Sequence, residues 1–301
     1  MDGIHPGLKT SVDQALPQAS IKDCSNLIRL IRMVKTEEEV NRLARATEIG
    51  EKAAGESVNL AYPGQPISDV IQAYRTSVAE QGADFEHFAY SLRGSGIATE
   101  PDYLLTNQDF LFVDFGCTYR NYVSDSGFTL AMHPLSDSQL DKYNTLQACI
   151  QAGIKAIKPG IKSLEIQTAM AQILDQQNVQ ASLPHDGHGL GLEIRYYPII
   201  SPKNELYIHD DCIEVPSDLP LETNMVVNLE VSIFRLEMGA LHIEQSFLVT
   251  ANGCQPLVPQ DRTLPRSPNT QLLPALTENS IYLITISQQG RICSCVYLHS
   301  D

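Results

Sequence analysis

Residues 110–130 read FLFVDFGCTYRNYVSDSGFTL, a stretch in which two carboxylates interrupt apolar surroundings. Its β-branched and aromatic residues, bounded by turn residues, predict strands at 110–114 and 122–130 that form a hairpin. Asp114 ends the first strand, and Asp125 follows eleven residues later on the second. A buried carboxylate is costly unless it is paired or bound to a cation, and facing carboxylates drive one of the pair to protonate. The hairpin therefore predicts a cation site.

Two later strands repeat this anomaly. The segments 225–234 and 240–250 are rich in β-branched residues, and each has an acid inside apolar strand surroundings. These acids are Glu230 in VVNLEVSIF and Glu244 in LHIEQSFLV. We therefore expect four carboxylates to share one explanation.

The glycine-rich stretch HDGHGLGLEIRYYP, residues 185–198, adds a histidine to the candidate site. The flanking Gly187 and Gly189 would let the backbone bring His188 close to an ion. Alone, a histidine in such a loop is more often a turn residue, but with four acids we interpret His188 as a nitrogen ligand. Oxygen ligands with one imidazole suit manganese, cobalt, iron or zinc, and carboxylates able to bridge suit a pair of ions.

Composition bounds the class of protein. The 301-residue chain has a net charge of −15, which opposes binding to nucleic acid and to anionic membranes. Its seven scattered cysteines do not form a disulfide framework. The N-terminus lacks a signal-peptide pattern, and no window approaches ~18 apolar residues. We expect a soluble, cytoplasmic protein with reduced cysteines.

The chain also contains an internal echo. A capping box at Thr36 and Glu39 predicts a helix over 37–59, followed by a Pro-Gly turn at 62–68 and a second helix. About ninety-six residues later a helix over 136–157, a Pro-Gly turn and another helix repeat this order. The matching order favours two related α-plus-strand halves around a central cleft, although chance similarity of Pro-Gly turns is the alternative.

The remaining segments have weaker patterns. Residues 1–20 have no periodicity and predict a loop or linker, and 199–223 predict a long loop with a short hairpin. Past Arg262 the composition becomes linker-like, and IYLITI and CVYL predict at most a small appended hairpin.

The series VDFG, SDSGFT, GHGLGLEIR, MVVNLEVSIF and HIEQSFLVTANGC resembles the pita-bread metallopeptidases, over about residues 22–260. That superfamily includes methionine aminopeptidase, aminopeptidase P, prolidase, creatinase and ectoine hydrolase. The resemblance implies an α+β pita-bread (creatinase/aminopeptidase) fold with two pseudo-symmetric halves around a metal cleft. It also implies a two-metal centre in which Asp125 and Glu244 serve both ions. Its implied ligands are Asp114, Asp125, His188, Glu230 and Glu244.

The resemblance also implies an organisation and an activity. Residues 1–35 are expected to be a remnant of an N-terminal domain and linker, 36–262 the catalytic domain and 263–301 a C-terminal tail. We expect a prolidase- or creatinase-type member that acts as a metal-dependent hydrolase of C–N bonds. A hydroxide activated by two divalent ions would attack a small peptide or amide. We expect manganese first, with cobalt, zinc and iron as alternatives, and a homodimer.

Two other functions stay open. The arginine and the tyrosine pair after His188 leave room for a creatinase- or ectoine-hydrolase-like amidohydrolase that acts on a small zwitterion. The same fold also serves non-catalytic binding proteins, and the loss of substrate-contacting histidines favours that alternative. Intact ligands argue against it, because unpaired buried carboxylates are costly.

The departures from the family pattern concern the substrate side. Arg195 stands where the peptidases have a second histidine, and Asp102 replaces another, although Asp102 is equally well a turn residue. We hypothesise that Arg195, helped by Tyr196, holds an anionic group of the substrate or the charge that develops on its carbonyl. A surface ion pair is the alternative.

Two further residues are assigned catalytic roles. Glu230 is able to accept the proton of the attacking water. His242 shares a strand face with Glu244 and is expected to transfer protons or bind substrate, or else to hold a carboxylate. Other acids and histidines without such neighbours are interpreted as surface or loop residues: His87, His133, His185, Asp186 and His209.

Overall fold

A computed structural model describes residues 6–91, 97–98, 102–180, 186–202, 206–235, 239–262, 265–268, 281–286 and 292–298. The helices within these ranges are α1 Pro6–Ala15, α2 Ser25–Ile31, α3 Glu37–Val58, α4 Ile67–Glu80, α5 Asp137–Ala156 and α6 Ser163–Gln176.

The start of α3 is fixed by its capping box. The Thr36 side chain accepts from the backbone N–H of Glu39, and the Glu39 carboxylate accepts from the backbone N–H of Thr36. Ser136 and Gln139 form the same reciprocal pair before α5. Both long helices predicted from the sequence are confirmed. The prediction of a loop over residues 1–20 is wrong for α1, where Lys9 pairs with Asp13 one turn away.

The strands alternate less regularly along the chain. The first group is β1 Asp84–Ser91, β2 Ile97–Ala98, β3 Phe110–Tyr119, β4 Tyr122–Val123, β5 Ser126–Ala131, β6 Asp186–Gly189 and β7 Tyr196–Ile200. The second group is β8 Tyr207–His209, β9 Glu214–Pro216, β10 Val226–Arg235, β11 Gly239–Thr250, β12 Gly253–Pro256, β13 Ile281–Ile286 and β14 Ile292–Leu298. The strand predicted over 122–130 is broken, with Asp125 in the gap between β4 and β5.

One large sheet organises the molecule. Its main path is β2-β1-β3-β5-β11-β10-β6-β7, with β4 paired to β3 and β12 paired to β11. All of these pairings are antiparallel, including the long-range pairing of β5 with β11. The centre of the sheet therefore joins strands from the two halves of the sequence.

The two halves repeat their hydrogen bonds as well as their elements. The N–H of Gly64 donates to the carbonyl of Leu105 over 2.6 Å, and the N–H of Gly160 donates to that of Leu221 over 2.8 Å. Both glycines have positive φ, 88° and 85°, which a residue without a side chain adopts at no cost. This correspondence confirms the two related halves.

Each half has its own apolar core. In the first half, α3 and α4 pack against β1, β3 and β5 around the fully buried Tyr74 and Phe115. In the second half, α5 and α6 pack against β10 and β11 around the fully buried Tyr143 and Phe247. Helices thus cover one face of the sheet, so the polar groups of the candidate site lie toward the other.

The smaller predicted features also appear. The strands β8 and β9 form the short hairpin predicted within 199–223, and β13 pairs with β14 as the predicted C-terminal hairpin. Beyond 262, Arg266 forms a bridge with Leu130 and pairs through its side chain with buried Glu51. The domain boundaries stay predictions. Within the ranges given above, no helix has both the length and the apolar character needed to cross a membrane.

Candidate metal centre

A single row of residues runs across the middle of the sheet. Asp114 on β3 lies opposite Gly127 on β5, Gly127 lies opposite Glu244 on β11, and Glu244 lies opposite Glu230 on β10. Neighbouring strands are about 4.8 Å apart, so this register brings three acids from distant parts of the chain side by side. Glu230 and Glu244 are buried, with 7% and 2% of their surface exposed.

The glycine in this row leaves space for the site. A Cβ atom at Gly127 would clash with Nε2 of His242 and would lie 2.7 Å from Oε2 of Glu244. Any larger residue would force both side chains to move. Gly127 is therefore required by the side chains that lie over it.

Asp125 and His188 reach the row from beside it. His188 on β6 lies opposite Asn228 on β10, and its Nε2 is 3.4 Å from Oδ2 of Asp125. The Asn228 amide donates to Oε1 of Glu244 over 2.8 Å and to the Asp125 carbonyl over 3.2 Å. Ser246 donates to the same carbonyl over 3.1 Å. These bonds fix the backbone of Asp125 and one oxygen of Glu244.

His188 presents a lone pair to the acids. Its Nδ1 donates to the carbonyl of Gly189 over 3.1 Å, which places the proton on that nitrogen. Its Nε2 is buried without a hydrogen-bond partner, as is Oδ1 of Asp125. Buried polar atoms are normally paired, so two orphaned donor atoms side by side mark a place for a ligand.

The electrostatics of the cluster agree with a missing positive charge. Burial, together with the charge of Asp114, raises the pKa of Asp125 to about 7. Burial and then the charges of Asp125, Asp114 and Glu230 raise the pKa of Glu244 well above its usual range. Burial, then the nearby charge of Arg195, lowers the pKa of His188 to about 4. A divalent cation would stabilise these carboxylates in their ionised form and the imidazole in its neutral form.

The donor atoms form overlapping groups that suit more than one ion. Asp125, His188 and Glu244 offer donor atoms within 4.8 Å of one another, and so do Glu230, His242 and Glu244. A third group consists of His87, Asp114 and Asp125. Asp125 and Glu244 each belong to two groups, and a carboxylate shared in this way is able to bridge two ions. The residues present thus fit a carboxylate-rich centre for divalent ions.

Arg195 lies beside this cluster at the surface. Its Nη2 is 3.5 Å from Oε1 of Glu230, and 62% of its side chain is exposed. Tyr196, its proposed helper, is buried under the side chain of Lys35, whose Nζ lies 5.3 Å from the ring centroid. Arg195 is therefore the member of the pair that is open to a substrate.

His242 is completely buried beneath Glu244. Its Nε2 is 3.1 Å from Oε2 of Glu244, and its Nδ1 is 2.7 Å from the Ser232 hydroxyl. Its ring also stacks on Phe112 at a centroid distance of 4.1 Å. Burial lowers its pKa to about 4. Of the two roles considered for His242, this geometry favours the holding of a carboxylate.

The interpretation of His87 as a surface or loop residue is wrong. His87 lies on β1, which pairs with β3 and brings its Nε2 to 2.8 Å from Oδ1 of Asp114. Burial alone would lower its pKa, but bonding to Asp114, Asp125 and Glu86 raises it to about 12. The aromatic residues of DFEHFAYS are typical of a strand, but only the pairing partner shows which residue faces the acids.

The other residues singled out in the sequence lie outside the cluster or outside the described residues. Asp102 is an exposed turn residue, in agreement with the simpler interpretation. His209 is exposed on β8, and the ring of His133 packs edge-on against Phe110. His185 and the side chain of Asp186 lie outside the part of the chain that the structure describes.

Comparison with known proteins places this geometry in a family. The model of metallopeptidase family M24 matches residues 41–251. The Xaa-Pro dipeptidase of Pyrococcus furiosus is 25% identical over 249 residues, which cover 81% of this chain and 68% of that protein. The uncharacterised peptidase YqhT of Bacillus subtilis is 27% identical over 275 residues, with 89% and 72% covered.

A solved structure shares the fold. The crystal structure of the prolidase from Pyrococcus horikoshii OT3 matches with a TM-score of 0.75 at 21% identity, covering 87% of this chain and 73% of that one. The predicted α+β pita-bread fold is confirmed. Because the family model spans well over half of its residues, the chain belongs to metallopeptidase family M24.

Proposed function

We propose that the chain is a metal-dependent peptidase that hydrolyses Xaa-Pro dipeptides. One observation carries the proposal: donor atoms of Asp125, His188 and Glu244 lie within 4.8 Å of one another. Two of these buried residues, Asp125 and His188, have donor atoms without hydrogen-bond partners. The name of the Pyrococcus furiosus relative, Xaa-Pro dipeptidase, supports the choice of substrate.

The proposed centre holds two divalent ions. Asp125 and Glu244 are proposed as ligands shared by both ions, which is supported by their place in two donor groups each. Asp114, His188 and Glu230 complete the set. Manganese is proposed first, because carboxylate oxygens dominate the donors, with cobalt, zinc and iron as alternatives.

The residues of the chain divide the work of hydrolysis. Bound divalent ions polarise a peptide carbonyl and supply a nucleophile at neutral pH. Glu230 is proposed to accept the proton of the attacking water and to pass it to the leaving imino nitrogen of proline. Asn228 holds Glu244 in place, and His242 supports the same carboxylate from below. Gly127 leaves the space in which these side chains lie.

Arg195 is proposed to bind the free carboxylate of the dipeptide. Its guanidinium is at the rim of the site, beside Glu230, and most of the side chain is exposed. A planar fork of N–H donors matches a carboxylate, whereas an arginine cannot serve as a base at neutral pH. A dipeptide places its C-terminal carboxylate one residue beyond the scissile bond, so a cation next to the proton acceptor favours dipeptides over longer peptides.

Two finer expectations accompany this proposal. We propose a homodimer, on the resemblance described above, and a cytoplasmic location, which the free thiols of buried Cys117 and Cys149 support. The peptidase names of the relatives favour hydrolysis of peptides over an amidohydrolase or a binding protein.

The test combines metal content with hydrolysis. Protein purified without chelator should hold about two equivalents of divalent metal per chain and should cleave Ala-Pro and Met-Pro. Asp125→Asn and Glu244→Gln should lose both properties. Asp141→Asn, an exposed acid on α5, is the matched control and should keep both. Folded wild-type protein that binds no divalent ion, even after reconstitution, would refute the proposal.

A further inference from the structure

His87 occupies a position built to hold an imidazole. The pairing of β1 with β3 shifts register between Phe85 and His87, so that His87 lies opposite Gly116. A Cβ atom at Gly116 would lie 2.5 Å from Cε1 of His87. A glycine at this point therefore makes room for the ring, as Gly127 does for the ring of His242.

Both ring nitrogens of His87 face carboxylates. Nδ1 contacts the carboxylate of the neighbouring Glu86. Nε2 is 2.8 Å from Oδ1 of Asp114 and 3.5 Å from Oδ1 of Asp125. The imidazole is thus held from outside by one acid and pointed at two others, with 20% of the side chain exposed.

This arrangement is the one found around metal-ligating histidines. Such a histidine usually donates one ring N–H to a carboxylate, which fixes the tautomer and directs the other nitrogen toward the ion. With the proton of Nδ1 donated to Glu86, the lone pair of Nε2 points at Asp114 and Asp125. A lone pair facing two carboxylates is repelled unless a cation lies between them, and Oδ1 of Asp125 is buried without a hydrogen-bond partner.

We propose that His87 is a sixth ligand of the centre, bound through Nε2 to the ion held by Asp114 and Asp125, and that Glu86 positions its ring. The proposal rests on the two-metal centre proposed above. It gives each metal position one imidazole, since His188 faces the position shared by Asp125 and Glu244. It also assigns each half of the fold one histidine ligand.

A second imidazole changes the preference for metals. Imidazole suits zinc and cobalt, whereas carboxylate and water suit manganese. We therefore expect His87 to raise the affinity for cobalt relative to manganese at one of the two positions. Replacing His87 with Gln should weaken cobalt binding at that position by about 10-fold or more.

X-ray absorption of the cobalt-loaded protein tests ligation directly. The wild-type spectrum should fit about two imidazoles per pair of ions, and His87→Gln should fit about one. Titration with cobalt and with manganese, followed by calorimetry, gives the affinities for the same proteins. Unfolding temperatures of the metal-free proteins show that the variant is folded.

Two other variants separate the explanations. His209→Gln removes an exposed histidine far along the chain and should change neither the imidazole count nor the affinities. Glu86→Gln should keep about two imidazoles while weakening cobalt binding by about 10-fold, because the ring loses its anchor. If His87 merely donates a hydrogen bond to Asp114, the wild-type spectrum will fit one imidazole, and His87→Gln will leave it unchanged.

The outcomes distinguish this inference from the proposed function. Wild-type protein that binds two ions with a single imidazole overturns the role of His87 and leaves the metal centre intact. Wild-type protein that binds no ion overturns both. A loss of one imidazole in His87→Gln, with the second retained, supports both.

Discussion

The Nη2 atom of Arg195 lies 3.5 Å from Oε1 of Glu230. The two partners differ in exposure, since 62% of the arginine side chain is accessible but only 10% of the glutamate side chain is. An exposed ion pair of this kind contributes about 0–1 kcal/mol to stability. The contact therefore has more to offer for substrate binding than for folding.

The first prediction concerns Arg195. Arg195→Ala should raise KM for Ala-Pro by about 10-fold or more, because a charge-assisted hydrogen bond to the substrate carboxylate is lost. Arg195→Lys should recover part of this loss, since it keeps the charge but not the planar fork. The unfolding temperature should stay unchanged in both variants.

The control for this prediction is a substrate. Ala-Pro amidated at its C-terminus has no carboxylate, so wild-type protein and Arg195→Ala should bind it equally poorly. Equal kinetics of the wild type and both variants with free Ala-Pro would leave Arg195 as a surface ion pair.

The second prediction concerns removal of the metal. Chelation should lower the unfolding temperature, because Asp125 and Glu244 are buried together and lose the cation that stabilises them. Adding divalent ions back at about 100 times their Kd should restore about 2.7 kcal/mol. Differential scanning calorimetry across a metal titration measures this effect.

Matched variants make the metal effect specific. Asp125→Asn should abolish the shift in unfolding temperature, while Asp141→Asn should retain it in full. A shift that persists in Asp125→Asn would mean that the ions stabilise the protein elsewhere.

The third prediction concerns Gly127. Gly127→Ala should destabilise the protein by about 1–3 kcal/mol, as overpacking of a filled interior does. Because the new methyl group would clash with Nε2 of His242 and lie 2.7 Å from Oε2 of Glu244, it should also displace Glu244 and lower metal affinity. Urea denaturation and metal titration measure the two effects.

A second glycine provides the comparison. Gly55 lies inside α3, and a Cβ atom there would meet only Nη1 of Arg266 at 3.8 Å. Gly55→Ala should therefore stabilise the protein by about 0.4–1 kcal/mol and leave metal affinity unchanged. Similar effects of the two substitutions would contradict the close packing over Gly127.

The fourth prediction concerns the pH dependence of stability through Lys35. This lysine is 3% exposed, and its Nζ donates to the carbonyl of Met33 over 2.8 Å. Burial, opposed by the charge of Glu39, lowers its pKa to about 7, whereas an unfolded lysine titrates near pH ~10.4. Between these values the unfolded state binds more protons, so stability should rise with pH from about 7 to about 10.

Lys35→Met isolates this contribution. The variant should be more stable than the wild type at pH 7, by on the order of 2 kcal/mol, and the difference should shrink toward pH 10. Lys155→Met, an exposed lysine on α5, should show no such trend. A difference between Lys35→Met and the wild type that does not change with pH would exclude the burial of a neutral lysine.

Local elements were largely predictable from the sequence. The helix that begins after Thr36 has a capping box and an apolar stripe within four residues of one another, so its start depends on short-range contacts alone. The repeated Pro-Gly turns at Gly64 and Gly160 are equally local, because positive φ favours glycine whatever surrounds it. The helix α1 was missed because its short, polar sequence has no apolar periodicity.

The sequence by itself determined which residue types are available for chemistry: acids inside apolar strands, a histidine between glycines, and an arginine in place of a family histidine. Only the tertiary structure decided which of them meet. The register of β3, β5, β11 and β10 brings Asp114, Glu244 and Glu230 into one row, and the pairing of β1 with β3 adds His87. Register depends on which side chains of distant strands are buried together, and a shift of one residue would turn each of these side chains to the opposite face of the sheet.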